Sequence, residues 1–152
     1  MISFYSGFIL AFILDRITKI FVLLNIPENS SIELFRFFHL SNIRNSGICF
    51  GFFDNPASVP FLVVISSIAV IFIIAYAHKK RNLPKITCIC LGLINGGILG
   101  NLVDRIAYHG VIDFIDFRIW PVFNLADAFI VCGVLCIIIF YSRIKQNASS
   151  VF

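Results

Sequence analysis

The stretch Gly96–Asp127, GGILGNLVDRIAYHGVIDFIDFRIWPVFNLAD, decides how the rest of the chain is read. It holds Asp104, Asp113, Asp116 and Asp127, four of the eight acidic residues among 152. It also joins the ends of two apolar runs of membrane-span length. A charged side chain near a bilayer centre costs about 2.5–3.5 kcal/mol on insertion scales, so acids beside such runs are functional candidates. Asp113 and Asp127 come from the two flanks of this segment. They are expected to meet as a pair of carboxylates at the membrane surface.

Outward from that stretch, the chain is 59% hydrophobic and only 13% charged. A soluble domain of this length needs more polar surface, so the composition indicates one integral membrane domain over residues 1–152. Long apolar runs place four spans at about 2–24, 59–77, 86–103 and 122–141, with outer loops at about 25–58 and 104–121. The turn from His78 to Lys85 is basic and has no acid, and the tail carries Arg143 and Lys145. The two long loops mix acids with arginines. The positive-inside rule therefore puts both termini and the 78–85 turn in the cytoplasm, and Asp113 outside. The N-terminal run lacks a basic leader and a small-residue cleavage site, so it reads as a retained span. The net charge of +4 is modest, and no basic patch interleaved with aromatics points to nucleic acid.

The first span is interrupted by Asp15, Arg16, Thr18 and Lys19. Asp15 and Lys19 share a face at i and i+4. They read either as a structural ion pair or as supports for a polar site. Arg16 lies off that face and reads as a snorkelling side chain or one paired elsewhere. The third span carries Gly92, Gly96 and Gly100 at four-residue spacing, with Gly97 beside them, which lets another helix approach closely. It ends in Asn101, Asp104 and Arg105. In the first long loop, Ser31–Ile43 is expected to form short strands. Asn45-Ser-Gly47 reads as a turn. Ile48–Phe53 is too apolar for a solvated loop and is placed at the lipid interface or over a groove. Pro121 precedes the fourth span. Asn124 and Asp127 are placed on one face of its first turns. Asp116 reads as a solvated loop charge, and His39 and His109 as interfacial polar residues. Of the five cysteines, Cys88, Cys90, Cys132 and Cys136 lie in apolar runs and read as packing residues.

Two adjacent carboxylates cannot both ionise cheaply, so one pKa rises and the pair shares a proton. The ionised member can activate water while the protonated one donates to a carbonyl. No serine with a paired base is legible. Cys49 has only His39 and His109 as bases, and Asp104, His109 and Asp113 lack metal-ligand spacing. No metal or cofactor is expected. The residues alone leave two possibilities open, a peptidase or a proton-coupled carrier. Clustering of the acids near one face favours chemistry at the interface.

Five short motifs in order carry a resemblance. Leu14-Asp-Arg-Ile-Thr-Lys19, Asn45-Ser-Gly-Ile-Cys-Phe-Gly51, Gly96-Gly-Ile-Leu-Gly-Asn-Leu-Val-Asp-Arg105, Val111-Ile-Asp-Phe114 and Phe123-Asn-Leu-Ala-Asp127 resemble those of the lipoprotein signal peptidases, or signal peptidase II. The resemblance implies an all-α membrane protein of four transmembrane helices, N-in and C-in. It also implies a small extracytoplasmic β-cradle and a short interfacial helix between the first two spans. It implies an aspartic endopeptidase without metal, in the bacterial inner membrane, that cleaves diacylglyceryl-modified prolipoproteins just before the lipidated cysteine. Asp113 and Asp127 would be its dyad. Asn45, Gly47, Asn101, Arg105 and Asn124 would orient substrate or dyad, Asp15 and Lys19 would support them, and Asp104 would be structural. Partners would be the lipidated substrate, membrane lipid and globomycin-type inhibitors, and the chain would act as a monomer. Arg16, where glutamine is common, and Cys49, where alanine is common, depart from the pattern.

Overall fold

In a computed structural model, residues 1–47, 58–80 and 82–149 are described, the last eight as backbone only. Among the described residues, four helices and three strands follow in the order α1 (Ile2–Asn25), β1 (Ser31–Phe35), β2 (Phe38–Asn45), α2 (Val59–Lys79), α3 (Lys85–Tyr108), β3 (Val111–Asp116) and α4 (Leu125–Ser149). The interfacial segment read at Ile48–Phe53, including Cys49, lies outside the described residues.

The central helix is α3, which packs on α1, α2 and α4. Its glycines explain the position. A Cβ at Gly92 would strike the Phe4 carbonyl and the Phe8 amide of α1. One at Gly96 would strike the Phe8 carbonyl and come within 2.9 Å of Ala11 Cβ. Gly97 faces the other way, where a Cβ would lie 2.6 Å from the Ala126 carbonyl of α4. Backbone-to-backbone approach of this kind is what small residues at helical spacing permit. By contrast α2 buries only Val59, Leu62 and Ala77, and exposes Phe61, Ile65, Ile68 and Phe72. Its 21 residues rise roughly 30 Å, the thickness of a hydrocarbon core. Among the described residues α2 and α3 are long and apolar enough to cross a membrane, and α4 has a shorter apolar part, Leu125–Tyr141.

The boundaries of α3 and α4 differ from those expected, and α4 runs on to Ser149 where the span was expected to end at about 141. α3 runs to Tyr108, so Asp104 and Arg105 sit on a helix and not in a loop. Cations from α1 pair with Asp104 and let the helix continue through it. The helix stops at His109, which takes a left-handed conformation (φ 56°). α4 begins at Leu125, not 122. Phe123 pairs with Ile115 as an isolated bridge, which keeps the residues before Asn124 extended.

The sheet is antiparallel in the order β1-β2-β3. Its first two strands come from the expected stretch between α1 and α2. The third comes from the other long connection, between α3 and α4. Val111–Asp116 is rich in β-branched and aromatic residues and follows Gly110, which is a strand signature. Alternation puts Ile112 and Phe114 on one face, where they bury against Val22 and Ile26 at the end of α1. Asp113 therefore faces the opposite way.

An added methyl at Gly96 has no room without moving α1. Gly96→Ala should lower stability by about 1–3 kcal/mol through overpacking. Ile68→Ala, on the exposed face of α2, should stay within about 0.5 kcal/mol. Thermal unfolding in detergent compares the two.

Candidate active site

Four elements bring polar side chains to one place. β3 supplies Asp113, the end of β2 supplies Asn45, α3 supplies Asn101, and the start of α4 supplies Asn124 and Asp127. Asn124 does not lie in the first turn of α4. It caps the helix: its Oδ1 accepts from the Asp127 amide at 3.0 Å, and its own amide faces Asp127 Oδ2 at 3.4 Å. This is a reciprocal capping box.

Three asparagine amides share one logic. Each has its oxygen occupied by a donor, which turns its NH2 group toward a carboxylate. Asn124 Oδ1 takes the Asp127 amide, so Nδ2 donates to Asp113 Oδ1 at 2.6 Å. Asn45 Oδ1 takes the Gly47 amide at 2.9 Å, so Nδ2 donates to Asp113 Oδ2 at 3.0 Å. Asn101 Oδ1 takes Lys19 Nζ at 2.8 Å, so Nδ2 donates to Asp127 Oδ1 at 2.9 Å. The turn at Gly47 thus has a chemical consequence, because it fixes which end of Asn45 meets Asp113.

Beneath these residues lies a buried cluster of four charges. Lys19 reaches Asp15 at 3.0 Å and Asp104 at 2.7 Å. Arg16 reaches the same two acids, so it is neither snorkelling nor unrelated to the Asp15–Lys19 pair. Gly100 makes the space, since a Cβ there would overlap the Asp15 carboxylate.

Asp113 is 3% exposed. Burial, and then the charge of Asp127, push its pKa from 3.8 to about 7, against the pull of the Asn45 and Asn124 amides. Asp113 and Asp127 stand between two hollows. On one side is a crevice of about 10 Å³ with Asn45, Gly47, Asn101, Arg105 and Val111, at the lower limit for one water molecule. On the other is a groove of about 460 Å³ formed by Trp120, Val122, Phe123, Ala128, Val131 and Cys132. Cys132 is exposed there and is not a packing residue.

The remaining candidates lie elsewhere. Asp116 is buried, not solvated, and accepts from Ser41 Oγ at 2.8 Å. Burial alone would raise its pKa, but Ser41, the amide and charge of Arg118, and His39 together hold it below the ordinary range. His39 is buried across from Asp116 in the sheet. His109 is exposed at the end of α3, and Asp104 is taken up by Lys19 and Arg16, so neither converges on Asp113.

Residues 7–143 match the family described as Signal peptidase (SPase) II. The chain belongs to the signal peptidase II family. A lipoprotein signal peptidase of Halothermothrix orenii is 37% identical over 137 residues, covering 90% of this chain and 92% of that one. One of Bartonella henselae is 40% identical over 153 residues, covering 96% and 93%. A solved bacterial membrane enzyme superposes with a TM-score of 0.85 at 28% identity, over 95% of this chain and 90% of that one. A second gives 0.80 at 27%, over 91% and 92%. Signal peptidase II membership makes the chain a membrane protease of lipoprotein processing.

A carboxyl whose folded-state pKa is raised binds more protons in the folded chain than in the unfolded one between 3.8 and about 7. Its contribution to stability is full below that window and is lost as pH rises through about 7. Melting temperatures of wild type and Asp113→Asn, measured across this range, should diverge in the variant's favour as pH rises. A constant difference would contradict the raised pKa.

Proposed function

We propose that the chain is an aspartic endopeptidase that removes the signal peptide from diacylglyceryl-modified prolipoproteins, cutting just before the lipidated cysteine. Asp113 and Asp127 are its dyad. The ionised member takes a proton from water held on the crevice side. The protonated member donates to the scissile carbonyl oxygen as water adds; the member that took water's proton then passes it to the leaving nitrogen, and the first recovers its proton from the gem-diol hydroxyl as the C–N bond breaks. The observation that carries this reading is the Asp113 carboxyl, buried beside Asp127 and pushed to about 7 at the wall of an apolar groove. A proton shared near neutral pH is what water activation by two carboxylates requires.

The supporting roles follow from the hydrogen bonds. Asn45, with Gly47 behind it, and Asn124 orient Asp113. Asn101 and the cap formed by Asn124 orient Asp127, and Lys19 orients Asn101. Arg105 lines the crevice, where it can meet the substrate backbone. Asp15 and Asp104 are structural. The groove accepts the lipid-bearing segment, and globomycin-type inhibitors compete there.

Residues 1–152 act as one domain with α1 to α4 as four spans, both termini cytoplasmic, and the sheet and dyad outside. The basic 78–85 turn supports that orientation. The chain works as a monomer among membrane lipids of the bacterial inner membrane, with no metal or cofactor in its chemistry.

Cleavage of a diacylglyceryl-modified precursor by purified protein tests the reading. Asp113→Asn and Asp127→Asn should each lower kcat about a thousand-fold or more while the proteins stay folded. Wild-type activity should fall as pH rises past about 7, as the shared proton is lost. Retained activity in both variants would sink the dyad.

A further inference from the structure

Arg16 has no place in the chemistry above, yet one of its atoms joins two parts of the site. Nη2 lies 2.6 Å from Asp104 Oδ1 and 3.1 Å from Asp15 Oδ2. Both acids are fully buried, and the arginine side chain is 17% exposed. The other oxygen of each acid accepts from a backbone amide, that of Asp104 while also pairing with Lys19. Asp15 Oδ1 accepts from Ala126 N–H at 3.1 Å, and Asp104 Oδ2 accepts from Ile112 N–H at 3.3 Å. Ala126 immediately precedes Asp127, and Ile112 immediately precedes Asp113. Each buried acid therefore grips the chain one residue before a member of the dyad.

We propose that Arg16 is a positioning residue for the hydrolysis: it sets the spacing of Asp113 and Asp127 by tying together the two carboxylates that anchor them. The proposal rests on the dyad reading above.

The charges explain why the tie matters. Lys19 bridges the same two acids, but a single ammonium cannot balance both carboxylates. Its three N–H groups already face Asp15, Asp104 and Asn101 Oδ1. With Arg16, two cations balance two carboxylates. Without it, two buried carboxylates share one ammonium. They would then repel or take up a proton, and a protonated oxygen is a poorer acceptor for a backbone amide. Either response loosens one anchor. β3 and α4 belong to different parts of the fold, so a loosened anchor moves one carboxylate relative to the other.

A purely structural ion pair makes a different prediction. Its loss lowers the amount of folded protein and leaves each folded molecule with unchanged kinetics. A positioning residue changes kcat at constant KM. It also changes the separation of the two limbs of the pH–rate profile, because coupling between two carboxylates depends on their distance.

Arg16→Met, Arg16→Gln and Arg16→Lys test this in the full-length chain in detergent, with a diacylglyceryl-modified precursor and rates per folded enzyme. Arg16→Met should lower kcat about ten-fold with KM nearly unchanged. The two limbs should close by about half a pH unit. Arg16→Gln keeps a donor without the charge and should fall between. Arg16→Lys restores the charge and should recover most of both effects. If the Met variant does not fold, the Gln variant carries the comparison. Wild-type kcat and limb spacing in the folded variants would overturn the role of Arg16 while leaving the dyad standing. Activity retained by both aspartate-to-asparagine variants would instead overturn the dyad, and this role with it.

Discussion

The site rests on two cations and two carboxylates held between α1 and α3, all but Arg16 fully buried. Burying ions carries a desolvation cost of several kcal/mol each, repaid only by close pairing and full hydrogen bonding. Lys19, Arg16, Asp15 and Asp104 meet that condition, with N–O separations from 2.6 to 3.1 Å. The same two acids also hold backbone amides, Asp15 through Oδ1 at the start of α4 and Asp104 through Oδ2, which it shares with Lys19, in β3. Removing any member leaves a charge without its counter-ion among groups of which only Arg16 is partly exposed. The intact cluster holds the residue before Asp127 and the residue before Asp113.

Above the cluster, a layer of asparagine amides passes that order to the proposed dyad. An asparagine can face a carboxylate with either end, and only one end attracts it. At Asn45, Asn101 and Asn124 the choice is made by a donor to the amide oxygen. The result is an array of N–H groups converging on Asp113 and Asp127 from three directions. The same carboxylates form the wall between a polar crevice and an apolar groove. On the proposed reading, that partition puts the attacking water on one side of the dyad and the substrate on the other.

Much of the framework was legible in order along the chain. Four apolar runs placed four helices, and glycines at four-residue spacing marked the face on which α1 and α3 touch. The i,i+4 spacing of Asp15 and Lys19 announced their pair. The strand at Val111–Asp116 had its signature in composition but lay in a connection, 104–121, that carries five charges and so reads as a loop. The fourth helix seemed to begin at Val122 because hydropathy cannot register that Phe123 pairs with Ile115. Asp116 looked solvated by the same limit, since its partner Ser41 is 75 residues away.

By itself the sequence determined the order of the four long helices, the acids and amides worth attention, and the family to which they belong. Those are matters of periodicity, composition and short motifs, which local chemistry dictates. Tertiary structure alone decided that Arg16 joins Asp15 to Asp104, that Gly47 orients Asn45, and that Cys132 faces the groove. Pairings across 88 residues, as between Arg16 and Asp104, have no local signal. They exist because helix packing brings buried charges within reach, and a buried charge must then take whichever partner the packing presents.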